Sequence, residues 1–133
     1  MKKVMVLLVS LLMMVVSLVG CNGNDDTIQT CIISNSSYSS QGELESANQE
    51  DVLTANEPIY ASVHFVESPK GMEYTVKWYL DDTEIKSETK ATEKDVQDIV
   101  IYELEADQAI AGSLKLEVIY KDTILLAKEL TVQ

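Results

Sequence analysis

The chain carries one imidazole, His64, and two thiols, Cys21 and Cys31. Nucleophilic hydrolysis needs a hydroxyl or thiol with a base in hydrogen-bond reach, so His64 and its near neighbour Ser62 are where that chemistry would have to be assembled. The alternation around them places both on a face read as solvated, which makes His64 a surface histidine before it is a catalytic one. Carboxylates are plentiful, 22 in all. They are the right type for glycoside hydrolysis or for calcium, yet Asn24-Asp25-Asp26 and Asp81-Asp82-Thr83-Glu84 show no EF-hand spacing, and Asp forms turns on its own account. No Cys/His cluster points to zinc, and no glycine-rich loop points to a nucleotide. All ten basic residues are lysines, so the bidentate guanidinium clamp on phosphate or carboxylate is absent. The residues therefore name no catalytic group, no metal ligand and no cofactor. What remains is recognition: Tyr60, Tyr79 and His64 occupy outward positions, and Tyr38 lies in a polar stretch. Tyrosines outside a core serve contacts with protein or sugar; cross-strand packing explains them as well.

Ahead of these residues stands a segment with a different task. Lys2 and Lys3 precede an apolar run from Val4 to Val19 broken only by Ser10 and Ser17, the order of a secretory signal. The run is short for a membrane span of about 20 residues, and no basic stop-transfer cluster follows. It ends in Leu18-Val19-Gly20-Cys21, which resembles the lipobox of bacterial lipoproteins. The resemblance implies that Leu18 and Gly20 are recognition positions, that residues 1–20 are removed, and that Cys21 receives a diacylglycerol and becomes the new N-terminus. Acyl chains contribute about 0.8 kcal/mol per buried CH₂, so the expected location is the extracytoplasmic face of a bacterial membrane.

The remaining 113 residues suit one domain. They hold eight lysines against 22 carboxylates, a net charge of −14. Such a field repels nucleic acid and keeps an exposed domain soluble. With Cys21 acylated, Cys31 has no partner within the chain, so the fold must stand without a disulfide; in its β-rich setting Cys31 reads as a buried, inert thiol.

Residues 21–26 read as a polar tether and 27–133 as the domain. Thr27 to Ile33 is β-rich, whereas the stretch 34–56 is Ser-, Asn-, Gln- and Glu-rich and reads as a long mobile loop, with room for one helical turn near Glu43 to Glu50. From Ile59 onward alternation dominates: Ile59, Ala61, Val63 and Phe65 against Tyr60, Ser62 and His64; Tyr74, Val76, Trp78 and Leu80 against Thr75, Lys77 and Tyr79. Ile85 to Thr89 is a short polar strand, and 90–97 is loop or a helical turn. Asp98 to Leu104, apolar on both faces, reads as a central covered strand. Leu114, Leu116, Val118 and Tyr120, then Leu126, Leu130 and Val132, complete about seven strands.

This pattern predicts an all-β fold, an antiparallel β-sandwich. It resembles the immunoglobulin-like domains at the C-terminal side of many bacterial lipoproteins, with Pro58–Val63 as strand B, Val76–Leu80 around Trp78 as strand C, Ala111–Val118 as strand F and Leu130–Val132 as strand G. The antibody-type pair of core cysteines is missing, and Leu114 stands where a corner tyrosine is frequent. The function expected is a membrane-anchored, non-catalytic binding module for a protein or glycan. The alternatives are an accessory subunit or carboxylate-dependent hydrolase of the cell envelope, or a small ligand- or metal-binding lipoprotein.

Overall fold

Alternating β-branched and aromatic residues become strands wherever one face finds a layer to bury against. The computed structural model describes residues 27–133; the leader and tether, with Leu18, Gly20 and Cys21, lie outside them. In order come β1 (Ile28–Ser34), α1 (Gln41–Ser46), β2 (Val52–Leu53), β3 (Ile59–Val66), β4 (Glu73–Leu80), β5 (Thr83–Ala91), β6 (Gln97–Leu104), β7 (Gly112–Tyr120) and β8 (Thr123–Val132). They form a three-stranded sheet, β1-β3-β6, and a five-stranded sheet, β2-β8-β7-β4-β5. Every pair is antiparallel except β2 with β8. This is an all-β, immunoglobulin-like sandwich.

The inward faces meet in one core. Ile33, Ile59, Val63, Phe65, Tyr102 and Leu104 come from one sheet, and Tyr74, Val76, Trp78, Leu114, Leu116 and Val118 from the other. Trp78 is fully buried, as its place in the alternation predicts. Full burial of each large apolar side chain contributes about 1.5–3 kcal/mol, so these positions dominate stability. Phe65 and Tyr74 stack across the layers at 3.9 Å between ring centroids. Their polar neighbours are satisfied: the Tyr74 hydroxyl pairs with Ser68 Oγ at 2.8 Å, and the Tyr102 hydroxyl donates to the Tyr74 carbonyl at 2.8 Å.

Both seams between the layers are closed by charged side chains. On β5, Lys86, Glu88 and Lys90 stand opposite Trp78, Val76 and Tyr74, so they share the inward face. Lys86 Nζ donates to the Glu103 carbonyl at 2.5 Å and Lys90 Nζ to the Ile101 carbonyl at 2.6 Å, while Glu88 lies between the two ammonium groups. At the opposite seam Lys128, opposite Leu116 on β8, reaches the Cys31 carbonyl and Gln49 Oε1. Inward charges of this kind deny a sheet edge to another chain.

Three expectations need correction. The stretch 34–56 is organised rather than a mobile loop: Ser34 ends β1, residues 41–46 are helical, and Val52–Leu53 pair with β8. Two amides hold it. Gln49 accepts from Ile33 N–H and donates to the Ile33 carbonyl, both at 2.8 Å, taking the place of a neighbouring strand. Asn35 donates to the Thr54 and Pro58 carbonyls and accepts from Thr54 N–H. Next, β6 is an edge strand, not a central one; its outward Ile99 and Ile101 are half-buried, and the lysines of β5 cap its carbonyls. Finally, the polar strand after Asp82 continues to Ala91, leaving only 92–96 as a loop.

Candidate functional site

Ser62 and His64 do point away from the core, yet both are buried, at 0% and 3% exposure. The cause is the stretch after β1, which folds back over the outer face of the three-stranded sheet. Tyr38 N–H donates to Ser62 Oγ at 3.0 Å. Ser40 then caps α1 by accepting from Glu43 N–H, and Glu43 Oε1 in turn accepts from Ser39 N–H. This is close to the reciprocal capping arrangement of Ser-x-x-Glu. Leu44, the helix's buried residue, anchors it.

His64 therefore sits at the floor of an open cleft of about 440 Å³, lined by Ser39, Ser40, Gln41, Lys94, Gln97 and Asp98. Its Nε2 lies 2.8 Å from Gln97 Oε1; since that oxygen can only accept, the proton is assigned to Nε2. Nδ1 is buried and has no hydrogen-bond partner among the described residues. Asp98 accepts from Glu93 N–H at 2.8 Å with one carboxylate oxygen and from Ile99 N–H at 2.9 Å with the other. Both residues thus hold the strand end and its loop together. What the cleft offers a visitor is hydroxyls, amides and one ammonium, groups suited to hydrogen-bonding a polar chain.

The three outward residues do not meet. Tyr60 lies half-buried on β3, opposite Glu103. Tyr79 lies on β4 in the other sheet, where its hydroxyl donates to Glu117 Oε1 at 3.0 Å and Lys115 Nζ stands 5.3 Å from its ring. Partial burial first, and then that carboxylate, raises the Tyr79 pKa above its ordinary value. Tyr60, Tyr79 and His64 consequently form no single recognition surface. The sequence reading missed Ser39, Ser40, Gln41, Lys94 and Gln97. The Ser40-Gln41-Gly42-Glu43 capping signature was the available signal for a helix start; nothing in the sequence pattern placed it over β3.

Other candidates for chemistry have structural tasks. Cys31 is 4% exposed, and burial pushes its pKa up to about 11 against the opposing pull of Lys128. Asp81 and Asp82 form the β4–β5 turn with φ of 51° and 72°, the left-handed backbone of a tight hairpin. Asp81 Oδ1 also accepts from Ser113 N–H at 3.0 Å. Among the described residues no three of His, Cys, Asp and Glu converge as a metal site would need.

No family model and no curated protein matches the chain. Among solved structures it is similar to a β-glucosidase from Kluyveromyces marxianus, at 20% identity and TM-score 0.44 over 59% of this chain and 13% of that one. It is also similar to the alkylpurine DNA glycosylase AlkC of Pseudomonas fluorescens, at 12% identity and TM-score 0.46 over 80% of this chain and 30% of that one. A third similarity is to a CARDB domain from Pyrococcus furiosus in complex with di-metal ions, at 12% identity and TM-score 0.40 over 80% of this chain and 94% of that one. The chain thus spans under a third of the first two proteins. At such scores these likenesses assign no ligand or activity to it.

Proposed function

We propose that the protein is a bacterial lipoprotein, anchored through Cys21 at the extracytoplasmic face of the membrane, whose sandwich binds a peptide or glycan without catalysing a reaction. One observation carries the anchored reading. Lys2 and Lys3, the apolar run Val4–Val19 and then Leu18-Val19-Gly20-Cys21 follow the order of an export signal that ends in a lipobox, with Leu18, Gly20 and Cys21 at its recognised positions.

For the binding part, the support is the cleft beside His64. Its floor groups are committed to the fold through Gln97 and Asp98, whereas Gln41 and Lys94 stand exposed at its edge. Among the described residues the hydrogen bond of the His64 ring is to the Gln97 amide and not to a hydroxyl or thiol, which favours a binding role over a catalytic one. The surplus of 14 negative charges in residues 21–133 disfavours nucleic acid as a partner.

Photo-crosslinking from position 41 of the acylated protein in intact cells tests the binding role. The expected result is a discrete crosslinked species that Lys94→Glu reduces at least several-fold while the circular dichroism spectrum is kept. A crosslinking pattern indifferent to Lys94→Glu contradicts a role for the cleft.

A further inference from the structure

The end of the sandwich that receives the tether has its own construction. Thr27 is joined there, its carbonyl accepting from Val66 N–H at 2.7 Å. Loops 67–72 and 92–96 lie at the same end, and the β7–β8 turn at Lys121-Asp122 joins them. The two loops are bonded into one piece: Ser68 N–H to the Val96 carbonyl at 2.9 Å, Gly71 N–H to the Thr92 carbonyl at 2.9 Å, Thr92 N–H to the Met72 carbonyl at 3.0 Å, and Thr92 Oγ1 to the Pro69 carbonyl at 2.9 Å. From this rigid piece Val96 projects at 64% exposure with φ of 68°. A β-branched residue rarely adopts that backbone, and here it holds an apolar side chain in solvent.

Charge divides along the same axis. Segments 50–58, 81–84 and 103–113, at the opposite end, contain nine carboxylates and no lysine. Segments 67–73, 90–98 and 120–123, at the tether end, contain four lysines and six carboxylates.

Resting on the anchored reading above, we propose that the tether end, with Val96 at its tip and Lys70 and Lys121 beside it, lies against the lipid headgroup layer and directs the acidic end away from the membrane. Chain length is the first argument. From Cys21 to Thr27 there are six residue steps, and a fully extended chain spans about 3.5 Å per step, so this end cannot leave the bilayer surface by more than about 20 Å. The opposite end lies a strand length further out, about 30 Å for nine residues. Tethering at such range makes even a weak contact populated. Charge is the second: the tether-end segments sum to −2 and the opposite-end segments to −9, so the negative potential of an anionic leaflet repels the opposite end far more and favours the tether end as the one that faces it. Apolar exposure is the third, since Val96 suits the boundary between headgroups and acyl chains.

The test uses the full acylated protein, its Cys21 modification checked by mass, in phosphatidylethanolamine–phosphatidylglycerol vesicles. Single thiols from Val96→Cys, Asp82→Cys and Lys77→Cys, each carrying an environment-sensitive fluorophore, report the tether end, the opposite end and the outer face of the five-stranded sheet; Cys31 is buried and takes no label. A spin label on the lipid headgroup is expected to quench position 96 several-fold more than 82 or 77. Lys70→Cys, on the neighbouring loop, gives the same expectation if Val96→Cys folds poorly. Equal quenching at all positions, or the greatest at 77, overturns the orientation while the anchored reading stands. An unmodified Cys21 in native membranes overturns both.

Discussion

Single side chains here show how far type and position diverge. Cys31 has the chemistry of a nucleophile and the surroundings of a core residue. Its ordinary pKa of 9.0 is raised by burial to about 11. Below pH 9 the thiol is protonated in both folded and unfolded chains; between pH 9 and about 11 only the unfolded chain ionises. Stability is therefore expected to fall across that window, by up to ~1.4 kcal/mol per pH unit. Denaturant titrations at pH 8, 9, 10 and 11 check this, and Cys31→Val should flatten the slope, though not abolish it, because buried Tyr102 also has its pKa raised, by desolvation before any charge. Gly112 makes a second case. Its φ is 154°, and a Cβ there would stand 3.0 Å from Asp81 Oδ2. Gly112→Ala is expected to cost about 1–3 kcal/mol, measured by thermal or denaturant unfolding; an unchanged midpoint would show that the Asp81–Ser113 corner yields freely. His64 carries the sharper lesson: alternation correctly gave the face it occupies, but solvation of that face depended on residues 35–46, whose polar composition hid their role as a cover.

At the level of elements, the strands from Ile59 onward were legible because a half-buried strand writes its burial into every second residue. Trp78 and Leu116 needed no structure to be placed inward. The register of edges was not legible, because an edge is defined by a missing neighbour, and nothing in Ile99-Val100-Ile101 says which neighbour is missing. Polar side chains supply the substitutes. Gln49 holds both backbone groups of Ile33, so Gln49→Ala is expected to cost about 1–3 kcal/mol and to speed amide exchange at Ile33 over other β1 positions; uniform exchange along β1 would contradict its part as a strand substitute. Lys86 and Lys90 close the opposite seam. Replacing both with threonine, a good strand former, is expected to leave the fold intact and to promote edge-to-edge self-association, seen as a concentration-dependent rise in sedimentation mass. A double variant that stays monomeric would show that these lysines do not protect the edge.

Taken whole, the described residues 27–133 form a sandwich whose core draws on residues from Cys31 to Val132. The fold class could be read from spacing alone, and its two layers from the single central Trp. The cleft beside His64 could not, since it arises where residues 39–41 and 94–98 meet across a sheet that no local pattern specifies. The proposed function follows the same division: the address proposed for the protein rests on a short contiguous motif, whereas the recognition proposed for it rests on a surface assembled from distant segments. The most direct test of the account is the intact mass of the N-terminal peptide released from native membranes. The predicted result is a chain beginning at Cys21 and carrying a diacylglyceryl thioether; a peptide that retains residues 1–20, or begins at an unmodified Cys21, would contradict it.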